Sequence, residues 1–206
     1  MDRITLADVR PLPEYEAMRD AMRAHVIDVK KRRRVALGDR ISLVFENRET
    51  VLFQVQEMVR AERITRPDAI EAEIDVYGRS TPEANELSAT MFIEITGRED
   101  VRPELDRLIG VNERLRLRIG GRHVIRGVFE PGWSREHRIA AVEYVKFPLT
   151  AERARSSRAM ASPSSSRWTT RTTGPVRSWT KRSGGRWPER WASVVSRYRR
   201  ASDSGR

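Results

Sequence analysis

Amphipathic helices dominate the pattern of apolar and polar positions in the first third of the chain. Between residues 13 and 29, apolar side chains recur every three or four positions, at Tyr15, Met18, Met22, Val26 and Val29. This spacing predicts a helix of about four turns. A second stripe predicts a helix from about residue 49 to residue 63, and its members are Val51, Leu52, Val55, Met58, Val59 and Glu62. Pro67 then opens a shorter helical stretch that ends near Tyr77.

Alternating segments that are typical of β-strands become dense in the second half. Residues 41–45 alternate after a Gly-Asp turn, residues 87–95 are rich in β-forming side chains, and residues 139–147 give a last predicted strand. Residues 115–119 and 124–129 flank a Gly-Gly pair and predict a hairpin, whereas residues 103–109 predict a short helix. Because helices come early and strands cluster late, we expect an α+β fold in which N-terminal helices pack on a mainly antiparallel β-sheet.

The end of the chain departs from all of these patterns. Residues 153–206 contain no Leu, Ile or Phe but four of the five tryptophans, and they hold 14 Lys and Arg against 2 Asp and Glu. Residues 1–152 hold the remaining 26 basic and 27 acidic residues, so the formal charge of +11 arises entirely in the tail. A segment of this composition cannot bury enough apolar surface to offset its ordering entropy. We therefore expect a single domain at residues 1–152 and a disordered Arg-, Ser- and Trp-rich tail at residues 153–206.

Two interpretations of this tail are open. In the first, it is a basic arm for nucleic acid, with guanidinium groups on phosphates and indoles stacked on bases. In the second, which we favour, it is an out-of-frame translation of an ordinary C-terminus that begins between Glu152 and Met160. Tryptophan has the single codon TGG and threonine codons begin with AC, so a frame displaced by one base encodes aspartate where Trp168 meets Thr169. With codons that end in G or C, the displaced reading of residues 163–171 is Val-Val-Val-Ala-Val-Asp-His-Pro, which favours a strand and a turn.

Composition excludes several classes of site. The absence of cysteine excludes a disulfide framework, a thiolate nucleophile and a self-ligated iron–sulfur cluster or zinc finger. No Gly-rich phosphate loop, nucleophile elbow or paired-histidine motif occurs in the sequence. The N-terminus has no apolar signal segment, and no run approaches the ~18 apolar residues of a membrane span. We therefore expect a cytoplasmic protein without a membrane partner.

The junction between the predicted strand at residues 41–45 and the second helix carries the first candidate residues. Glu46, Asn47 and Arg48 lie there, at a position where side chains often converge on a ligand. Alternatively, Asn47 caps the helix and Glu49 is favoured by the helix dipole.

A polar face on the second helix carries further candidates. Gln54, Glu57 and Arg60 follow one another at three-residue spacing, apart from the apolar stripe. Glu57 and Arg60 form either a surface pair worth roughly 0.2 to 0.5 kcal/mol, or part of a polar pocket that Glu46 and Arg48 complete for an anionic or metal-bearing ligand.

The densest basic run of the predicted domain follows the first helix and consists of Lys30, Lys31, Arg32, Arg33 and Arg34. These five cations either hold phosphates or an acidic partner, or form a solvated helix terminus.

No cofactor is evident, although a metal ion is possible. With only three histidines, such a site would depend on carboxylates, for which Glu46, Glu57 and Glu62 are candidates together with His25. His25 lies in the apolar arc of the first helix, where a lone histidine is more often a hydrogen-bonded core residue than a ligand.

The stretch from Phe45 to Met58, with its Glu-Asn-Arg and Gln-x-x-Glu-Met pieces, resembles the uncharacterised bacterial family called domain of unknown function 3501. The Lys-Lys-Arg-Arg-Arg end of the opening helix and the Leu-Ser-Ala-Thr-Met-Phe-Ile-Glu strand are similar too, so the resemblance covers about residues 3–150. Members of that family continue into a segment that contains Asp-His-Pro, which the displaced frame restores.

The resemblance implies no activity, but it implies a setting. The resemblance implies that the protein is often encoded beside rubrerythrin-like and iron–sulfur oxidoreductase proteins, and thus an accessory role in an oxidative-stress or electron-transfer system. Our first hypothesis is therefore an accessory module that binds an iron-containing redox protein through the polar face around Glu46, Arg48, Glu57 and Arg60 and through the basic run at residues 30–34. The alternatives are an enzyme with a carboxylate-rich, metal-binding pocket, and nucleic-acid binding through the basic tail.

Overall fold

The computed structural model describes residues 3–95, 101–119, 123–131, 139–150 and 169–170. The helices are α1 (Leu12–Arg32), α2 (Arg48–Ala61), α3 (Pro67–Gly78), α4 (Val101–Asp106) and α5 (Val111–Arg114), and a 3-10 turn at Leu6–Asp8 precedes them. The strands are β1 (Arg34–Leu37), β2 (Ile41–Phe45), β3 (Glu86–Ile93), β4 (Arg116–Ile119), β5 (His123–Arg126), β6 (Val128–Phe129), β7 (Val142–Pro148) and β8 (Thr169–Thr170). The three helices predicted from apolar stripes or from Pro67 are therefore present, as are the strands predicted at residues 41–45 and 87–95.

Two antiparallel sheets organise the described residues. The larger sheet has the strand order β1-β2-β3-β7-β6, and the smaller one has the order β5-β4-β8. In the larger sheet, Met91 on the central strand β3 lies opposite Leu43 of β2 and Glu143 of β7. Together with the N-terminal helices, this arrangement confirms the predicted α+β class and the mainly antiparallel sheet.

The larger sheet lies between the helices and the smaller sheet. Because side chains alternate along a strand, Leu43 and Met91 point to one face while Val44 and Thr90 point to the other. The first face belongs to a core that contains residues from both sheets: Leu37, Ile41, Leu43, Ala89, Met91, Ile93, Leu115, Leu117, Ile119, Ile125, Ile139, Val145 and Phe147. The second face packs on α2 and α3 through the core residues Ile4, Val51, Val55, Met58, Val59, Ile74, Tyr77 and Tyr144. Burial of apolar area in these two cores is the main stabilising contribution that the fold makes.

Helix α1 packs along α2. Of its predicted stripe, Tyr15, Val26 and Val29 are buried, whereas Met18 and Met22 are partly exposed. The apolar stripe of α1 is therefore incompletely covered, and part of it reaches the surface beside α2.

The single returning strand predicted at residues 124–129 is wrong, because the chain changes sheets at Gly127. β5 pairs with β4, whereas β6 pairs with β7 in the larger sheet. A Cβ atom at Gly127 would lie 2.9 Å from a methyl group of Val145 and 3.3 Å from the ring of Phe147. The backbone therefore passes so close to β7 that only glycine fits, and periodicity does not reveal such a contact.

Several boundaries also differ from expectation. The last predicted strand begins at Val142 rather than at residue 139, and Arg34 opens β1 instead of extending the end of the helix. The predicted hairpin is present as the β4–β5 pair, although its Gly-Gly turn lies outside the described residues. Apart from residues 169–170, the tail predicted to be disordered lies outside the described residues. Among the helices described, none combines the length and the apolarity that a membrane crossing requires.

Candidate functional site

The junction between β2 and α2 is built as a helix cap. The Asn47 side-chain oxygen accepts a hydrogen bond from the Thr50 backbone N–H at 2.9 Å, and the Thr50 hydroxyl oxygen accepts from the Asn47 N–H at 3.0 Å. These reciprocal bonds satisfy donors that the first turn of a helix otherwise leaves open. They confirm the capping interpretation of Asn47.

Glu46 is buried beneath this cap, with a side chain that is 1% exposed. Its carboxylate accepts hydrogen bonds from the hydroxyls of Thr50 and Thr90, the latter at 2.7 Å, and lies 3.7 Å from the ammonium group of Lys30. A buried carboxylate is tolerated only when it is paired and hydrogen-bonded in this way. Glu46 thus ties the end of α1 and the start of α2 to the central strand β3.

The basic run does not form one cationic surface. Lys30 is buried against Glu46, and Arg33 donates hydrogen bonds to the backbone oxygens of Phe45 and Glu46 at 2.8 and 3.2 Å. Arg34 contacts Glu94 and lies over the ring of Phe92, 5.8 Å from its centroid.

Only Lys31 and Arg32 of the run are exposed, and Arg32 lies 3.5 Å from Asp28. Residues 30–34 therefore do not form one five-cation patch, and the solvated terminus is limited to Lys31 and Arg32, because the chain reverses into β1 and directs the other three cations inward.

Glu57 is the centre of an ionic contact between α1 and α2. Arg19 donates to both of its oxygens at 2.8 and 2.9 Å, the Tyr15 hydroxyl donates at 2.7 Å, and Arg60 donates at 3.2 Å. Burial alone raises the pKa of Glu57, but the hydrogen bonds from Arg19 and Tyr15 outweigh it and hold this pKa below its usual range. Glu57 is therefore an ionised, fully engaged group that joins two helices.

The predicted polar pocket does not form. Arg48 pairs with Asp8 at 2.7 Å in the N-terminal 3-10 turn, and nine residues of helix, roughly 13 Å of rise, separate Arg48 from Glu57. Gln54 donates instead to the hydroxyl of Tyr144 on β7 at 3.0 Å. Glu46, Arg48, Gln54 and Glu57 thus engage four different parts of the fold, and only Glu57 and Arg60 are brought together.

The weak metal candidates are likewise dispersed. His25 is not a core residue, since its side chain is 60% exposed and its Nε2 lies 2.6 Å from a carboxylate oxygen of Glu49. Glu62 lies at the C-terminal cap of α2, far along the chain from the buried Glu46. Within the part of the chain that the structure describes, no three His, Asp or Glu side chains are grouped closely enough to hold a metal ion.

An apolar groove lies on the surface between α1 and α2, and we call it the α1–α2 groove. It has a volume of about 280 Å³ and is lined by Ala21, Met22, His25, Val26, Glu49, Leu52 and Phe53. The pair formed by His25 and Glu49 supplies its polar atoms. The groove forms because α2 covers only part of the apolar stripe of α1, so that Met22 remains partly exposed between the two helices.

Sequence reasoning missed one unusual group, Glu143. This carboxyl belongs to β7 and is 2% exposed. Burial raises its pKa to about 7, and a hydrogen bond from the Ala140 backbone offsets this only in part. The signal was available, because Glu143 is the one polar residue in an alternating row that otherwise consists of Ile139, Ala141, Val145 and Phe147.

Comparison with known proteins places the chain in a family. The profile of the proteins of unknown function DUF3501 matches residues 3–166. A crystal structure of a novel protein of unknown function from Burkholderia pseudomallei is similar, with 27% identity, a TM-score of 0.77, and coverage of 86% of this chain and 92% of that chain. The search of the curated proteins found no match. The chain therefore belongs to the DUF3501 family of proteins of unknown function.

Proposed function

We propose that this protein is a non-catalytic accessory module that binds a helix of an iron-containing redox protein in the α1–α2 groove. The observation that carries the proposal is the groove itself, a concave apolar surface on a molecule whose candidate polar side chains are largely engaged inside the fold. Buried networks such as those of Glu46 and Glu57 stabilise an arrangement of helices, and they direct these two carboxylates into the fold instead of towards a substrate.

The size and lining of the groove favour side chains of a protein partner. A volume of about 280 Å³ is at the lower limit for small-molecule sites, which span roughly 300 to 1,000 Å³. It suits two or three large apolar side chains from one face of an amphipathic helix. Met22 adds a flexible, polarizable wall that adapts to such side chains. Glu49 and His25 offer charged partners at the edge, which would orient the bound helix.

The redox class of the partner has a separate source of support. The family resemblance implies a setting beside rubrerythrin-like and iron–sulfur proteins. The chain has no cysteine, so it supplies no thiolate ligand of its own to an iron–sulfur cluster. An accessory role, in which the iron belongs to the partner, is consistent with both facts.

Affinity purification from a native host tests this proposal. Tagged full-length chain is compared with Met22→Lys and Phe53→Lys, which place a charge in the groove, and with Val76→Lys as a matched control on an exposed valine of α3 that is 45% exposed. We expect the unmodified chain and the control to recover the same iron-containing protein, identified by mass spectrometry and metal analysis. Each groove variant should weaken binding of that purified partner on the order of tenfold or more, as truncation of central interface residues does.

Two results would contradict the proposal in different ways. If the folded, unmodified chain recovers no iron-containing protein, the redox class of the partner is wrong. If Met22→Lys and Phe53→Lys bind the partner as well as Val76→Lys does, the groove is not the interface.

A further inference from the structure

Two charged contacts between the helices bracket the α1–α2 groove. At one end of the groove, Nε2 of His25 lies 2.6 Å from a carboxylate oxygen of Glu49. One turn of α2 beyond Phe53, past the opposite end, Arg19 donates to Glu57. Glu49 and Glu57 are eight residues apart on α2, which is about 12 Å of helical rise. The stretch between the two contacts therefore has the length of about two turns of a bound helix.

The carboxylates of the two contacts differ in how well they are neutralised. Glu57 accepts from Arg19 through both of its oxygens. Glu49 contacts His25 through Oε1, and among the described residues no hydrogen bond reaches its Oε2. Because an ionised carboxylate only accepts, Nε2 of His25 carries the hydrogen in this contact, and such an imidazole is neutral unless its other nitrogen is protonated too. Glu49 thus has an oxygen open to a further partner.

The charge of Glu49 depends largely on water. The side chains of Glu49 and His25 are 47% and 60% exposed. Arg33 attracts Glu49 electrostatically, but its guanidinium group donates to the backbone oxygens of Phe45 and Glu46. The first turn of α2 adds the favourable end of the helix dipole. None of these interactions places a cation against the open oxygen.

A helix that docks in the groove would remove part of this water. A carboxylate that loses water without gaining a partner is costly in free energy. The neighbouring walls of the groove, Leu52 and Phe53, are apolar and offer no replacement. A cationic side chain at the edge of the docking helix would supply it, next to Oε2 of Glu49.

We infer that Glu49 selects the partner of the groove, and that the docking helix carries a lysine or an arginine beside its apolar face. This inference rests on the proposed function, in which the groove binds a helix, and it adds the charge which that helix must have. A helix with a carboxylate at the same place is rejected, because like charges that meet across an interface suppress wrong partners.

Two helical probe peptides test the inference. Both present leucine at positions i, i+4 and i+7, and the positions that flank this row are lysine in one peptide and glutamate in the other. Fluorescence anisotropy gives their Kd values for the full chain, for Glu49→Gln and for Glu49→Lys. The matched control is Glu71→Gln, which removes an exposed carboxylate of α3 outside the groove. Phe53→Lys shows which part of the binding occurs in the groove.

The quantity to compare is the Kd of the glutamate peptide divided by the Kd of the lysine peptide. The basic tail attracts the glutamate peptide in every variant, so only the change in this ratio reports on the groove. We expect the ratio to fall on the order of fivefold in Glu49→Gln and further in Glu49→Lys, and to stay unchanged in Glu71→Gln. High salt should reduce the difference between the variants, because it screens partly exposed charges.

Three results would overturn the inference, and they differ in what they leave standing. If Phe53→Lys weakens both peptides but Glu49→Gln leaves the ratio unchanged, the groove binds helices without this selection, and the proposed interface stands. If Phe53→Lys weakens neither peptide, the groove does not bind helices, and the proposed interface fails too. If sedimentation shows the chain alone to be a dimer that Phe53→Lys dissociates, a second copy of the chain occupies the groove.

Discussion

Glu143 has an environment that differs from those of the other carboxylates at the residue scale. Glu46 is buried among the hydroxyls of Thr50 and Thr90 and the ammonium group of Lys30. Glu57 is half-buried and accepts hydrogen bonds from Arg19 and Tyr15. Glu143 instead lies between the two sheets, beside Met91 in the register of β7 and β3, and burial raises its pKa to about 7. A carboxyl in this position is therefore neutral in mildly acidic solution and titrates close to neutral pH.

This difference predicts a pH dependence of stability. Between pH 4.5, the ordinary pKa, and about 7, the folded chain keeps a proton on Glu143 that the unfolded chain releases. Stability from this group is thus fully present below pH 4.5 and is lost as the pH rises through 7. We expect Glu143→Gln to flatten the fall in unfolding free energy across that window, which amounts to at most roughly 3 kcal/mol. Urea unfolding at pH 4.5, 6 and 8 measures this change.

The control for that experiment is Glu113→Gln, which removes an exposed carboxylate on α5 and should leave the pH profile unchanged. Asp8 and Glu57 do not interfere, because their pKa values are lowered and they lose their contribution only in stronger acid. An identical slope between pH 4.5 and 7 in Glu143→Gln and the unmodified chain would contradict the assignment.

Residue roles could be predicted from sequence where partners are close along the chain. The Asn47 cap was predictable, because its donor is three residues away. The partner of Glu57 was predicted as Arg60, which is correct, but the stronger bidentate partner Arg19 is 38 residues distant and required knowledge of how α1 crosses α2. The burial of Lys30, which we expected either in a binding patch or at a solvated helix terminus, could not be predicted for the same reason, since its partner Glu46 belongs to another part of the chain.

At the scale of elements, α2 contacts three other parts of the fold. It contacts α1 through Glu57, the larger sheet through Gln54 and α3 through its apolar stripe. Its N-terminus is fixed by the Asn47 cap, next to the buried Glu46. Loss of the cap should therefore affect global stability and not only the first turn.

Asn47→Ala tests whether the cap of α2 contributes to the global stability of the fold. Removal of the side-chain acceptor leaves the Thr50 N–H without its bond, and we expect a loss of about 1 kcal/mol, within a range of roughly 0.5 to 2. Asn47→Ser keeps an acceptor oxygen and should retain most of the stability. Chemical unfolding of the three proteins gives the comparison, and equal losses for alanine and serine would show that the cap is not the cause.

Element positions were predictable from periodicity, but element partners were not. The stripes and alternations predicted α1, α2, β2 and β3 because each is a local pattern with a period of 3.6 or 2 residues, and Pro67 indicated the start of α3. The division of residues 123–129 between two sheets depends on the approach of Gly127 to Val145 and Phe147, a contact between distant segments. The α1–α2 groove could not be predicted from periodicity either, because it depends on which apolar side chains of α1 are left exposed beside α2.

The whole molecule has an unequal distribution of charge. Residues 1–152 are almost neutral, with 26 basic and 27 acidic residues, while the tail holds 14 basic and 2 acidic ones. Affinity of this chain for polyanions should therefore be a property of the tail, since counterion release depends on local cation density.

We expect the full chain to bind duplex DNA without sequence preference and with a steep salt dependence, in which log K falls by about 0.9 per phosphate contacted for each tenfold rise in salt. A chain that ends at Glu152 should lose this binding. Fluorescence anisotropy at several salt concentrations measures both. If the shortened chain binds with an unchanged salt slope, the polyanion site lies in residues 1–152 and not in the tail.

The passage of the chain through Gly127 has a consequence for the fate of the protein in a cell. One residue joins β5, an edge strand of the smaller sheet, to β6, an edge strand of the larger one, so the two sheets cannot separate without displacing β6 from β7 or β5 from β4. An opening that begins in one sheet is thereby passed to the other instead of remaining local. A substitution that loosens this crossing would make the molecule open more often as a whole, and quality-control proteases would remove it faster. The amount of the protein in the cell would then fall, although the chemistry of its side chains would be unchanged.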